Sequence, residues 1–177
     1  AWWNYSANRP VSMSSFVLNY HFNKLDVKYY HLVNIIIHII NALLIFWLMR
    51  LIFYSPVISK YKVLNQKRLL ALFISILFLT HPLATQSVTY IIQRQNLIAA
   101  LFYLLSLTLY FKARLKTSQI KYLFFGGVLI TAILAFLSKE NAFTLPFVII
   151  LCEIFFFQTK RLKINLKSRK PIILIAV

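Results

Sequence analysis

Long apolar blocks alternate with short polar segments along this chain of 177 residues. The apolar blocks cover residues 31–54, 69–81, 97–111, 122–137 and 142–157, and a further block begins at residue 171. Blocks of this kind are typical of helices that cross a bilayer, whose hydrocarbon core is about 30 Å thick. The pattern predicts an all-α fold, a polytopic transmembrane helical bundle with five spans and the start of a sixth.

Residues 1–30 are more polar and form a separate region ahead of the predicted transmembrane domain of residues 31–177. Tryptophan and tyrosine are frequent in this region, and such side chains concentrate at the headgroup level of membranes. Between residues 11 and 21, apolar side chains recur at helical spacing, namely Met13, Phe16, Val17 and Tyr20. The pattern predicts an extracytoplasmic loop that contains a short amphipathic helix at the membrane interface.

A polar segment, residues 80–96, separates the second apolar block from the third. Because exposed polar backbone is not tolerated in hydrocarbon, this segment must lie at a membrane face or in a protected cavity. Pro82 fixes its own φ and has no N–H donor, so the incoming helix is expected to end near His81. From about Thr85 to Arg94 the helical period returns, which predicts an amphipathic surface helix forming the floor of a site.

Four polar side chains form a stripe at the start of the first span. They are His31, Asn34, His38 and Asn41. On a helix they fall within an arc of about 80°, and a polar stripe in a membrane should face other helices or a cavity. Interhelical hydrogen bonding is the favoured interpretation, and the alternative is a stripe that faces a functional cavity. No metal site is predicted, because the stripe has no carboxylate and its histidines lack a known ligand spacing.

Charge is distributed unevenly between the polar segments. The chain has 20 lysines and arginines against 3 acidic residues, which gives a formal net charge of +17. Residues 50–68, 112–121 and 160–170 hold five, four and six of these cations, fifteen in all. Since each cluster lies between apolar blocks, the charge indicates membrane sidedness rather than nucleic-acid binding. The N-terminal loop and residues 80–96 and 138–141 are therefore predicted to be extracytoplasmic.

The predicted extracytoplasmic face collects polar residues that sidedness does not explain. They are Arg9, His81, Gln86, Arg94, Lys139 and Glu140. Cations on this face suggest an anionic ligand such as the phosphate of a lipid carrier, which arginine can bind bidentately and lysine as a point charge. The alternative is that Arg94 and Lys139 extend to the interface and that Lys139 pairs with Glu140. Glu140 is the carboxylate placed to act as a base or to orient a cation.

The remaining acidic residues and the glycines have mainly structural interpretations. Glu153 lies inside an apolar block, where a hydrogen-bonded structural role is favoured over a proton-relay role. Asp26 is interpreted as a solvated loop residue. The two glycines are adjacent, so the chain cannot form the glycine-rich loops that hold nucleotide phosphates.

Three stretches resemble successive blocks of one family of membrane enzymes. They are NRPVSMSSFVLNYHFNKLDVKYYHLVNIIIHIINALL, THPLATQSVTYIIQRQNLIAALFYLLSLTLY and SKENAFTLPFVIILCE. The chain resembles the membrane domain of polytopic GT-C-fold glycosyltransferases that carry tetratricopeptide repeats, the O-mannosyltransferase-like transmembrane proteins. Because it begins at alanine and stops within an apolar block, we expect it to be an interior piece of a longer membrane protein.

The resemblance implies a mannose-like sugar carried on polyprenyl or dolichyl phosphate and transferred to a hydroxyl of a protein or glycan acceptor. It also implies that Arg9 is the basic residue that the family places before proline, near the lipid phosphate. Further family motif positions fall on His81, Arg94, Lys139 and Glu140. Gln86 stands where some members have glutamate. The family's usual base, an aspartate in the first external loop, is expected upstream of residue 1, which leaves Glu140 as the catalytic candidate in this chain.

Two functions of different classes are consistent with these patterns. The first is the core of an inverting glycosyltransferase in a bacterial inner membrane, or in the endoplasmic reticulum membrane of a eukaryote. It would use the lipid-linked donor without a further cofactor from this chain. The second is a non-catalytic protein that binds or transports a lipid carrier, with the His31 stripe lining a passage.

Overall fold

All the regular structure in the described part of the chain is helical. The computed structural model describes residues 9–60 and 66–158. Its helices are α1 (Pro10–Asn23), α2 (Val27–Phe53), α3 (Lys67–Thr80), α4 (Pro82–Thr89), α5 (Arg94–Leu115), α6 (Ile120–Phe136) and α7 (Leu145–Cys152). Short 3₁₀ turns lie at Ile58–Lys60, Ile91–Gln93 and Glu140–Thr144, and a π-helical turn, Glu153–Phe157, continues α7. The all-α prediction is confirmed, and the sixth span predicted from residue 171 lies outside the described residues.

Three helical stretches of the described chain are long and apolar enough to cross a membrane. They are Val27–Phe53, Ile91–Leu115 and Glu140–Phe157. α3 and α4 together form a fourth candidate span, bent by 56° at the break between them. α6 is a shorter apolar helix of 17 residues. These helices make the chain an integral membrane protein, and the count of five crossings stays a prediction.

The ends of the helices follow local chemistry. α2 begins at Val27, ahead of the predicted start at residue 31, because Asp26 caps it by accepting from the Lys28 amide at 3.1 Å. Asp26 is therefore a helix cap as well as an exposed residue. The expected break at Pro82 is present, with His81 in an extended conformation between α3 and α4.

The predicted continuous helix from Thr85 to Arg94 is wrong. α4 ends at Thr89, and Tyr90 is extended, with φ −85° and ψ 115°. A 3₁₀ turn follows, and Arg94 is the first residue of α5. Val88 and Thr89 are β-branched residues that fit poorly within a helix, and the turn redirects the chain from the surface into the bundle.

α5 is the central helix and packs along both α2 and α6. Its buried residues Leu107, Tyr110 and Phe111 meet Leu48 of α2 and Leu145 of α7 in one apolar cluster. Many large apolar side chains point outward from the bundle, as expected for a protein surrounded by lipid.

An ion pair joins α5 to the end of α7. Arg114 donates to Glu153 through Nη2 at 2.5 Å and through Nε at 2.9 Å, and the Tyr110 hydroxyl also donates to this carboxylate. A carboxylate inside an apolar block needs such partners to be retained in lipid. The contacts agree with the structural interpretation of Glu153.

Candidate functional site

Four residues, Gln93–Asn96, lie where the chain turns into α5. Arg94, Gln95 and Asn96 occupy the first turn of that helix, and their side chains reach three different parts of the bundle. These contacts bring together most of the charged residues singled out from the sequence.

The Arg94 side chain lies inside the bundle and is 0% exposed. Its Nε donates to Asn34 Oδ1 of α2 at 2.8 Å. Its Nη2 donates to Asn19 Oδ1 of α1 and to the Tyr30 carbonyl oxygen, each at 2.9 Å. Its Nη1 donates to the Ser15 carbonyl oxygen at 3.3 Å. The arginine thus joins α1, α2 and α5.

Aromatic rings and neutral acceptors stabilise the buried Arg94 guanidinium. The ring centroids of Phe16 and Tyr30 lie 4.7 and 5.3 Å from Cζ, within the range of a cation–π interaction. The hydrogen-bond acceptors described above are amide and carbonyl oxygens, and no carboxylate pairs with Arg94 within the described residues. Four of the five N–H donors of an arginine are therefore occupied by the protein itself.

Arg9, just ahead of α1, forms a bidentate ion pair with Glu140. Its Nε and Nη2 donate to the two carboxylate oxygens at 2.9 and 2.6 Å, and its Nη1 donates to Gln95 Oε1 at 2.5 Å. The Arg9 side chain is 15% exposed and that of Glu140 52%. This fork geometry fixes the plane of the guanidinium, so Glu140 orients Arg9.

Lys139, the residue before Glu140, contacts the next residue of α5. Its ammonium group donates to Asn96 Oδ1, and Asn96 donates in turn to Gln93 Oε1. The local Lys139–Glu140 pair considered from the sequence is not formed, since Glu140 binds Arg9. Gln95 and Asn96, which sequence reasoning missed, therefore hold the two half-buried cations Arg9 and Lys139. Their position beside Arg94 was the available signal.

A cavity of about 320 Å³ opens beside Lys139. It is lined by Asn96, Ala99, Ala100, Tyr103, Leu104, Lys139, Asn141 and Ala142. The wall is mostly aliphatic or aromatic, with the lysine ammonium as its cation. Such a cavity suits an amphipathic ligand that carries a negative charge at one end.

The polar stripe of α2 binds main-chain carbonyl groups of other helices. The bonds join His31 and Asn34 to the Val88 oxygen at 3.5 and 3.4 Å, His38 to the Leu79 oxygen at 3.2 Å, and Asn41 to the Leu97 oxygen at 3.0 Å. These are interhelical hydrogen bonds of the kind that the favoured interpretation describes. Since a carbonyl oxygen only accepts, the histidine nitrogens in these bonds are donors.

The helix breaks explain why the stripe is needed. In an unbroken helix the Leu79 oxygen would accept from the Leu83 amide, but that amide instead donates to His81 Nδ1 at 3.2 Å. The Val88 oxygen likewise lies at the end of α4, where no helical donor follows. Unsatisfied carbonyl groups are costly in a membrane, and the stripe supplies the missing donors.

His81 and Gln86 lie at a different place from the Arg9–Lys139 cluster. His81 lines a second cavity of about 380 Å³ between α2, α3 and α4, together with His38 and Thr85. Gln86 is exposed on α4. The structure thus gathers Arg9, Arg94, Lys139 and Glu140 around the start of α5, while His81 and Gln86 lie towards the helix break.

No metal-binding arrangement is present among residues 9–60 and 66–158. No group of three or more histidine, cysteine, aspartate or glutamate side chains there could hold a metal ion. The exposed cluster instead combines two cations with one carboxylate. It therefore favours a ligand of net negative charge.

These features define a multi-spanning helical membrane protein with a cationic, partly apolar site near one end of the bundle. Over most of its length the chain is distantly homologous to the TMTC protein O-mannosyl-transferases. It is 24% identical to Protein O-mannosyl-transferase TMTC3 of Homo sapiens over 155 residues, 88% of this chain. It is 34% identical to Protein O-mannosyl-transferase tmtc2 of Xenopus laevis over 109 residues, 62% of this chain.

A third relative is Protein O-mannosyl-transferase Tmtc1 of Drosophila melanogaster, 29% identical over 149 residues, 82% of this chain. The chain spans only 16%, 12% and 15% of the lengths of these three proteins, respectively. No family model and no solved structure matches the chain. The homology confirms the resemblance noted from the sequence.

Proposed function

We propose that this chain forms part of the donor-binding core of a membrane O-mannosyltransferase. The donor would be a mannose-like sugar on polyprenyl or dolichyl phosphate, and the acceptor a hydroxyl of a protein or glycan. One observation carries the proposal: Lys139 and Asn96 line a largely apolar cavity of about 320 Å³, and Gln95, the residue before Asn96, holds the second cation, Arg9. The homology to O-mannosyl-transferases supports the reaction class.

The cavity and its cations match the two chemical parts of such a donor. The aliphatic wall formed by Ala99, Ala100 and Leu104 would receive the first isoprene groups of the carrier. Lys139 and Arg9 would face its phosphate. Their positive charge would stabilise the negative charge that develops on the lipid phosphate as its bond to the sugar breaks. The acceptor hydroxyl would attack the anomeric carbon, lose its proton to a base, and release the lipid phosphate.

Glu140 has the geometry of an orienting residue in this scheme. Both of its oxygens accept from Arg9, which leaves them poorly disposed to take a proton from an acceptor hydroxyl. We therefore assign the base to the aspartate that the family resemblance places upstream of residue 1. Glu140 would set the direction of the Arg9 guanidinium toward the donor.

The site is proposed to lie on the extracytoplasmic side. The support is the positive-inside pattern of the sequence, which places the three basic clusters on the opposite side. The relatives described above are animal proteins, so the endoplasmic reticulum membrane is the better-supported location, and the bacterial inner membrane stays a prediction from the sequence.

The proposal is tested by sugar transfer with the full-length protein in membranes. Radiolabelled mannose on polyprenyl or dolichyl phosphate is the donor, and Lys139→Ala should lower transfer on the order of a hundredfold. Lys28→Ala is the matched control, because Lys28 is an exposed lysine of the same predicted face, and it should leave transfer unchanged. Equal transfer by the Lys139→Ala and wild-type proteins would remove Lys139 from the site.

A non-catalytic lipid-carrier-binding or transport function is the second candidate. The observation that favours it is the cavity of about 380 Å³ at the helix break, which His38 of the polar stripe lines with His81. In that case the full-length protein would bind or move the lipid carrier but transfer sugar from no donor. The same membranes, assayed for carrier binding and for transfer, distinguish the two functions.

A further inference from the structure

Arg94 connects α1, which makes few other contacts with α2 and α5, to these two helices. α1 has large apolar side chains directed away from the bundle, with Val17, Leu18 and Phe22 exposed by 66%, 59% and 76%. Its fully or nearly buried residues are the polar Ser12 and Asn19. The apolar side chains of α1 are at most half-buried, so the buried side chains that join it to the bundle are polar.

The polar contacts of α1 form two groups, one at its start and one along its middle. At the start, the Val11 amide donates to the Leu137 carbonyl at 3.3 Å and the Ser12 hydroxyl to the Ser138 carbonyl at 3.2 Å. Further along, the Arg94 guanidinium binds the Ser15 carbonyl and the Asn19 side chain. Arg94 of α5 thus connects the middle of α1 to α2 and α5.

We propose that Arg94 is a positioning residue rather than a ligand of the donor phosphate. Arg94 holds α1 against the bundle, and this positions Arg9, the residue before α1, for its bonds to Gln95 and Glu140. Arg94 also fixes the first turn of α5, which positions Asn96 for its bond to Lys139. The inference rests on the proposed function for its effect on sugar transfer, whereas the docking of α1 is independent of that function.

The burial of Arg94 excludes direct contact with a ligand in this structure. The residue is 0% exposed, its N–H groups bind four protein acceptors, and two aromatic rings cover its faces. A phosphate could reach it only if α1 moved away, which would also displace Arg9. Arg9 and Lys139, in contrast, are half-buried rather than fully buried, so solvent reaches part of each side chain.

Chemical cross-linking measures α1 docking directly. In a cysteine-free full-length protein that includes Cys152→Ser, cysteines are introduced by Val11→Cys and Leu137→Cys, and a short thiol–thiol reagent joins them. Arg94→Ala should lower the cross-linking yield several-fold. Arg94→Lys should lower the yield similarly, because a single ammonium group cannot make the hydrogen bonds that the guanidinium makes to both α1 and α2. Arg50→Ala is the control, since Arg50 lies over the Phe46 ring at the far end of α2, and should have no effect.

Asn19→Ala keeps Arg94 intact and removes only an acceptor on α1. A positioning role predicts that this variant also loses cross-linking and that its sugar transfer falls with it. If Arg94 bound the phosphate directly, Asn19→Ala would keep both the charge and the transfer. This variant decides the question even where Arg94→Ala fails to fold.

Recovery of sugar transfer after cross-linking distinguishes a positioning role of Arg94 from a general loss of stability. Once cross-linked, the Arg94→Ala protein should recover sugar transfer close to that of the cross-linked wild type. The cross-link would hold the start of α1 at its native position beside Leu137. Unchanged cross-linking yield in Arg94→Ala, or restored docking without restored transfer, would overturn the inference. If the wild type transfers no sugar from any donor, the proposed function fails, while the cross-linking yields still decide whether Arg94 docks α1.

Discussion

Single side chains in this protein obtain their roles from their partners more than from their charge. Arg9 and Arg94 are both arginines predicted at one membrane face, yet Arg9 pairs with a carboxylate and stays partly exposed, while Arg94 is buried among neutral acceptors. Because a sequence shows charge but not burial, both had the same predicted role. Burial separates a residue that can meet a ligand from one that supports the structure.

The role assigned to Glu140 predicts a particular kinetic result. Glu140→Gln keeps the shape of the side chain but removes the charge that orients Arg9. We expect the KM for the lipid-linked donor to rise several-fold and kcat to fall by no more than several-fold, because Arg9 would keep its charge but lose its fixed direction. Initial rates over a range of donor concentrations give both constants.

A catalytic base at Glu140 would give the opposite result. Loss of a general base lowers the rate by about 10²–10⁴-fold, so a large fall in kcat with unchanged KM would contradict the orienting role. Glu153→Gln is a useful comparison, because that carboxylate pairs with Arg114 in the other ion pair of the described residues. It should affect stability without a selective effect on the donor KM.

At the level of helices, breaks in α-helical hydrogen bonding determine where polar side chains are needed. The break at Pro82 could be predicted, because proline acts on its own residue and its neighbours. The second break, at Tyr90, has only a weak local signal, the β-branched Val88 and Thr89, so the sequence suggested one continuous helix. Likewise, the stripe on α2 could be recognised from its spacing, but its partners, the Leu79 and Val88 carbonyls, depend on where those breaks fall.

The contact between α5 and α6 gives a stability prediction with a matched control. A Cβ atom at Gly127 would lie 3.1 Å from Leu109 Cδ1, whereas one at Gly126 would meet nothing within 4 Å. Gly127→Val should therefore destabilise the protein by about 1–3 kcal/mol through overpacking. Gly126→Ala should change stability by less than about 1 kcal/mol, in the stabilising direction.

Thermal unfolding in detergent measures both glycine variants. A clearly lower Tm for Gly127→Val, with Gly126→Ala equal to or above wild type, is the expected outcome. Equal Tm values for Gly127→Val and wild type would show that α6 does not approach α5 as closely as described here.

For the molecule as a whole, hydropathy predicted the helical membrane class, because each helix that lies in lipid must present apolar side chains. The distribution of charge predicts sidedness, and this stays a prediction because the arrangement of helices alone does not test it. The site was predictable only in part: Arg9, Lys139 and Glu140 carry charge, whereas Gln95 and Asn96 are ordinary amides until the fold places them beside those cations. The homologous proteins are far longer than this chain, so tests of activity need the full-length protein.

Sidedness itself can be measured at two positions, one on α4 and one in the exposed loop between α5 and α6. In a cysteine-free background, Ser87→Cys on α4 and Ser118→Cys between α5 and α6 should react with a membrane-impermeant thiol reagent from opposite sides. The positive-inside pattern predicts that Ser118, within the second basic cluster, is cytoplasmic. Reaction of both cysteines from the same side would contradict the predicted topology.

The most direct test of the proposed site is the position at which a photoreactive polyprenyl phosphate mannose analogue attaches to the full-length protein. Mass spectrometry of the labelled peptides should place the adduct within residues 96–104 or 139–142, which line the cavity beside Lys139, and excess unlabelled donor should abolish it. An adduct found instead within residues 79–88, at the cavity of the helix break, would contradict the account.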